Sequence, residues 1–294
     1  MTHATRLDLL DPAEVARLGG IEIVAAGVVE GFLAGLHRSP FRGFSLEFTE
    51  HRAYQPGDEL RYLDWKILAR ADRLFVKQFE EETNLRAMML VDVSRSMAWR
   101  GATERLTKRA YADRLAAALA LILLRQRDAT GLITFDDAVR QLVPARVKSG
   151  QWARLVRGLL DTPDGRGTAA RAALERVRAL LVRRGLVVLV SDLLFDRDLA
   201  LVALRYLRHR GHQVIVVHVS DPAELELTGP PEVRFTDPES AASVVVRPRE
   251  LARAYGETVQ REIAAWRSAC RRHGIAYHHV RTDLPFGMAL RLIA

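Results

Sequence analysis

The stretch Ala87-Met88-Met89-Leu90-Val91-Asp92-Val93-Ser94-Arg95-Ser96-Met97 decides the fold. Its apolar run, Met88 to Val91, reads as a short buried strand of a parallel sheet. Asp92 ends the run, and Ser94 and Ser96 follow at two-residue spacing. A long helical pattern begins a few residues later. One carboxylate and two hydroxyls therefore lie in the loop leaving a strand tip, the position at which open α/β sheets bind ligands.

Outward from this stretch, strand and helix patterns alternate. Residues 103–126 read as a long helix, apolar nearly all round from Leu115 to Leu124, which predicts deep burial. Gly131 to Phe135 and Val139 to Val143 read as strands joined by a tight turn at Asp136-Asp137, the second an antiparallel edge strand. Helices are expected over 149–160, 169–183, 197–210 and 249–272, and strands over 186–190, 214–219 and 275–280. Residues 224–247, rich in proline, read as an irregular hairpin insertion, and the tail after Pro285 as a last short helix. The fold class is α/β: a doubly wound, mostly parallel six-stranded sheet.

Upstream, Asp11-Pro12 is a helix start with Asp as N-cap. Gly19-Gly20 ends that helix, and residues 21–36 read as a second, amphipathic one. Alternation over 44–52 and 74–82 predicts a small β-element within 44–84. The expected division is 1–86, an N-terminal helical segment with the β-element, and 87–294, the sheet domain.

Composition narrows the function classes. With 49% hydrophobic and 27% charged residues over 294, the chain is an ordinary globular protein. The net charge is +8, yet only Lys66, Lys77, Lys108 and Lys148 are lysines. The arginines are scattered instead of clustered, which reads as compositional bias, so no specific nucleic acid is expected. Cys270 stands alone, which excludes an internal disulfide or a Cys-rich metal site. The longest apolar stretch, Ala116 to Leu124, is far short of the about 20 residues a membrane span needs. No signal-peptide order opens the chain, and a cytoplasmic protein without a membrane span is expected.

Three loops at the carboxyl edge of the expected sheet carry oxygen ligands. The first brings Asp92, Ser94 and Ser96. The Gly165-Arg166-Gly167-Thr168 loop brings Thr168, and the loop after 186–190 brings Asp192. In a 3-2-1-4-5-6 strand order these loops converge. Oxygen-only ligands suit a hard divalent cation, Mg²⁺ first, with Mn²⁺ or Ca²⁺ as alternatives. No His or Lys falls within the three loops to activate Ser94 or Ser96, so a binding site is expected and not an enzyme. The alternative is a metal-dependent hydrolase or phosphotransferase using Asp92 as nucleophile. His278-His279 lies in an expected strand, where alternation sends the two rings to opposite faces.

Asp92, Ser94, Ser96, Thr168 and Asp192 resemble the metal-ion-dependent adhesion site of von Willebrand factor A domains. The segment from Glu47 to Trp65 resembles the signature of domain-of-unknown-function family 58, through Arg52, Tyr54, Pro56, Gly57, Asp58, Arg61, Asp64 and Trp65. The match continues through Arg70, Leu74, Val76, Phe79 and Glu80 into the Asp92 loop. On its own, Trp65 reads as a buried ring whose neighbour Asp64 pairs with Arg61 or Arg52. The resemblance implies a bacterial or archaeal protein that works beside a MoxR-type AAA+ ATPase. It implies a metal-dependent adaptor or co-chaperone for assembly or maturation of a client complex. Its metal would recruit an acidic residue of the ATPase or of the client. Many members of the family carry N-terminal membrane helices, and this chain is similar to the shorter subgroup without them.

Overall fold

The computed structural model describes residues 20–34, 47–55, 65, 67–68, 74–80, 85–165, 170–236 and 242–293. The chain divides into two compact units: Met1–Ser39 with Arg86–Ala294, and Pro40–Leu85.

In the smaller unit, β1 (Glu47–Ala53) and β2 (Phe75–Glu80) pair antiparallel, with a bulge between Phe48 and Glu50. This is the small β-element that alternation predicts. The Tyr54 N–H extends the pairing by donating to the Leu74 carbonyl at 3.0 Å. Trp65 corrects the expectation of a buried ring: it is exposed. Pro56, Gly57, Asp58, Arg61 and Asp64 lie outside the described residues, as does the helix expected from Asp11.

The larger unit is built on a six-stranded sheet. Its strands are β3 (Arg86–Asp92), β4 (Ala129–Phe135), β5 (Val139–Arg146), β6 (Leu186–Ser191), β7 (Gln213–Ser220) and β10 (Ala276–Arg281). They lie in the order β10-β7-β6-β3-β4-β5. All neighbours are parallel except β4 and β5, which form the antiparallel edge hairpin. Read from β3, this is the 3-2-1-4-5-6 order, and the chain reverses direction across the sheet between β3 and β6. The short strands β8 (Val233–Thr236) and β9 (Ser243–Val246) form the separate hairpin expected within 224–247.

Alternation along the central strands feeds two cores. Leu90, Ile133, Val187, Leu189, Val214 and Val216 join one cluster with residues of three helices. These are Ala170–Leu180, Arg197–His209 and Pro248–Arg272. Cys270 is buried in this cluster, and burial pushes its thiol up to about 11, an inert state. On the opposite side lies α2 (Lys108–Arg125), whose residues from Leu115 to Ala120 are all buried. Here Tyr111 stacks on Phe286 at 4.6 Å between ring centroids.

Two features depart from the sequence reading. Helix α2 starts at Lys108, five residues later than expected, because Thr107 caps it: its Oγ1 accepts the Ala110 N–H at 3.0 Å. Helix α1 (Ile21–Ala34) groups with the sheet unit, not with the β-element; Val24, Ala25, Val28 and Val29 are buried as it packs along α2. Among the described residues no helix is long and apolar enough to cross a membrane.

Candidate metal centre

The β3 tip delivers Asp92 into a buried position at the switch point between β3 and β6. One of its oxygens, Oδ1, accepts the Ser94 N–H at 2.8 Å, which closes the loop into a tight turn. The other, Oδ2, accepts the Ser191 hydroxyl at 2.6 Å from the tip of β6. Ser94 and Ser96 are buried with their hydroxyl oxygens 3.1 Å apart. Arg95–Ala98 is a single 3-10 turn, which puts Ser94 and Ser96 on one side of the loop.

Asp192 follows β6 and is buried as well. Its loop is fixed twice: the Leu193 N–H donates to Ser191 Oγ at 2.9 Å, and the Leu194 N–H donates to Asp192 Oδ1 at 3.2 Å. Leu193 adopts φ 56°, a left-handed conformation that a leucine holds only where its surroundings enforce it. Desolvation, and then the neighbouring Asp192 charge, push the Asp92 carboxyl up to about 6.

Gly165, the first residue of the third loop, lies against the Asp92 loop. Its N–H donates to the Val93 carbonyl at 2.6 Å. A Cβ there would lie 2.5 Å from Asp136 Oδ2 and 2.6 Å from Val93 O, so only glycine fits. Thr168 itself lies outside the described residues.

Sequence reasoning missed Lys108. This fully buried side chain enters from the first residue of α2, and its ammonium donates to Asp192 Oδ2 at 2.8 Å and to Glu224 Oε1. No lysine falls within the three loops themselves, yet Lys108 reaches one of them through space. Glu224 belongs to the capping box of the turn Pro222–Leu225: its Oε2 accepts the Asp221 N–H at 2.9 Å, leaving Oε1 for Lys108. The pattern Asp221-Pro222-Ala223-Glu224 was a readable sequence signal for that turn. For Lys108 the only signal was its rarity in an arginine-rich chain.

His218, on β7, was missed too. Its ring lies 5.0 Å from that of His279, and its Nδ1 is 2.6 Å from the Tyr277 hydroxyl. Burial, then His279, hold it neutral, with its pKa down at about 3. His279 thus has a histidine neighbour across strands, although its sequence neighbour His278 is not that neighbour. Beside Asp192 a cleft of about 590 Å³ opens between Leu194, Phe195, Tyr255 and Trp266.

The donor set fits a hard divalent cation on its chemistry: two buried carboxylates, close enough for one to raise the other, with two hydroxyls between strand tips. Among the described residues there is no group of three or more His, Cys, Asp or Glu side chains suited to a metal, so the hydroxyls are essential to this fit.

Comparison with known proteins places the chain. Relatives include the mycobacterial proteins named "Uncharacterized protein Rv1480" (Mycobacterium tuberculosis) and "Uncharacterized protein Mb1516" (Mycobacterium bovis). Each is 30% identical over 271 residues, covering 90% of this chain and 82% of the relative. Among solved structures, BatB from Bacteroides thetaiotaomicron is similar at 15% identity and TM-score 0.47, over 70% of this chain and 95% of that one. The SpRpn10 VWA domain is similar at 13% identity and TM-score 0.41, over 70% and 94%. An aerotolerance-related membrane protein from Bacteroides fragilis is similar at 17% identity and TM-score 0.48, over 71% and 98%. The profile of the family described as "Protein of unknown function DUF58" matches residues 50–265. With that match over most of its length, the chain belongs to the DUF58 family.

Proposed function

We propose that the chain is a metal-dependent protein-binding adaptor and not an enzyme. Asp92, Ser94, Ser96 and Asp192, with Thr168, hold a divalent ion, Mg²⁺ first, that takes a carboxylate from a partner protein. One observation carries this reading: two buried carboxylates and two hydroxyls meet at one sheet edge, and among the described residues no base is hydrogen-bonded to the Ser94 or Ser96 hydroxyl. The Ser94 hydroxyl faces Ser96 and Asp92, not a histidine or lysine. Both Asp92 oxygens accept hydrogen bonds from the chain itself, which suits a fixed ligand better than an attacking group.

The ion would supply Lewis acidity toward an outside oxygen. The residues present hold the loops in place, exclude water from the buried side and leave the outer side to the partner. The partner is a MoxR-type AAA+ ATPase, or its acidic client, as the resemblance to family 58 implies. The test is a pull-down of the cognate MoxR-type ATPase by the full chain, in Mg²⁺ and in chelator. Binding is expected in Mg²⁺ alone and is lost in Asp92→Ala, whose cooperative melt persists. Undiminished capture in chelator would overturn the proposal.

A further inference from the structure

Buried lysines are rare, and one at the first residue of a helix is set against the positive end of the helix dipole. Lys108 meets both conditions, so the carboxylates around it are what hold it there. Its ammonium takes Asp192 Oδ2 at 2.8 Å and Glu224 Oε1, and the Trp99 ring covers it at 6.0 Å from the centroid. Neither carboxylate can turn away. The Leu194 N–H fixes the other oxygen of Asp192 at 3.2 Å, and the Asp221 N–H fixes the other oxygen of Glu224 at 2.9 Å.

We infer that Lys108 is the resident cation of this site, withholding one oxygen of Asp192 from the divalent ion and thereby setting how weakly the ion binds alone. The inference rests on the metal-site reading. A divalent ion between Asp92 and Asp192 shares the Asp192 carboxylate with an ammonium already bound to it. A charge at such range changes the affinity for a bound proton by about ten- to a thousandfold, and a metal held on the same oxygens feels the same field. Glu224 moderates the conflict by drawing the ammonium away from Asp192. An arriving partner carboxylate supplies the missing negative charge, so ion and partner bind cooperatively, each tightening the other.

The experiment is calorimetric titration of the full-length chain with Mn²⁺ alone. The double variant Lys108→Met/Glu224→Gln removes one charge of each sign, so net charge is kept and Asp192 is the one buried carboxylate left without the ammonium. It is expected to bind Mn²⁺ about tenfold more tightly or better, because Asp192 Oδ2 is freed. Glu224→Gln alone leaves the ammonium to Asp192 and is expected to bind several-fold more weakly than the parent. Melting curves establish that each variant is folded, and the opposite signs separate the effect from general damage. Equal or weaker binding by the double variant, or tighter binding by Glu224→Gln, overturns the role of Lys108 while the metal site stands. If the parent and both folded variants bind no Mn²⁺, the metal-site reading fails, and this inference with it.

Discussion

A titratable side chain buried without charge leaves a mark on stability that a surface residue does not, and His218 is such a side chain. It is neutral in the fold, with a pKa near 3, while an unfolded histidine takes its proton near 6.5. Between these values the unfolded chain binds more protons. The stability that neutral His218 contributes is therefore complete above pH 6.5 and is lost progressively as pH falls toward 3. Asp92 and Asp113, the latter buried on α2, act in the opposite sense: burial holds both carboxyls up to about 6, so their contribution to stability falls as pH rises from about 3.8 to about 6 and changes no further above it. The difference between parent and His218→Gln isolates the histidine. Urea unfolding at pH 7 and 4.5 should show the parent losing on the order of 2 kcal/mol more than the variant. Equal losses would show that His218 takes up a proton in the folded protein. At this scale legibility followed distance along the chain. Asp92, Ser94 and Ser96 declared themselves because their spacing is local. Lys108 stayed silent because its partners Asp192 and Glu224 lie 84 and 116 residues away.

Among elements, the loops at the sheet edge carry the site, and glycines set how closely they approach. Gly165 rests on the Val93 carbonyl, and Gly101 rests on the turn at Asp221 and Ala223, where a Cβ would lie 2.4 Å from Ala223 Cβ. Gly165→Ala forces the backbone at position 165 off Val93 and Asp136. It should cost about 1–3 kcal/mol, the usual penalty of overpacking. If the proposed ion binds, so that Mg²⁺ raises the melting temperature of the parent, Gly165→Ala should diminish that rise while far-ultraviolet dichroism stays that of the parent. A full Mg²⁺ response would mean that the third loop does not contribute to the centre. The strand order was legible because apolar runs such as Leu186 to Val190 admit few neighbours besides other parallel strands. The start of α2 was not, because Gly101 to Leu106 contains residues as compatible with a helix as with the turns observed there. The decisive cap, Thr107, is recognised only through its bond to Ala110.

At the scale of the whole molecule, helix α1 is the element whose membership changed. Its sequence, Ile21 to Ala34, is apolar and precedes the β-element, which suggests an N-terminal segment of its own. In the structure Val24, Ala25, Val28 and Val29 are buried instead, and the helix belongs with Arg86–Ala294, so the β-element interrupts the sheet unit in sequence. The physical reason lies in α2, which is apolar nearly all round: one side covers the sheet and the other needs a partner. α1 and the C-terminal helix Phe286–Ile293 are what pack against it. A chain beginning at residue 86 therefore keeps every strand of the sheet but uncovers part of α2. Taking about 1.5–3 kcal/mol for each of three valines, it should lose roughly 4.5–9 kcal/mol relative to the full chain and gain dye-binding apolar surface. Chemical unfolding and 8-anilinonaphthalene-sulfonate fluorescence check this together. Adding residues 1–39 back as a separate peptide should restore part of the lost stability, because the surface left open on α2 is the one α1 covers. Stability equal to that of the full chain, with no gain in dye fluorescence, would show that the sheet unit is complete from residue 86 onward and that α1 only rests on it.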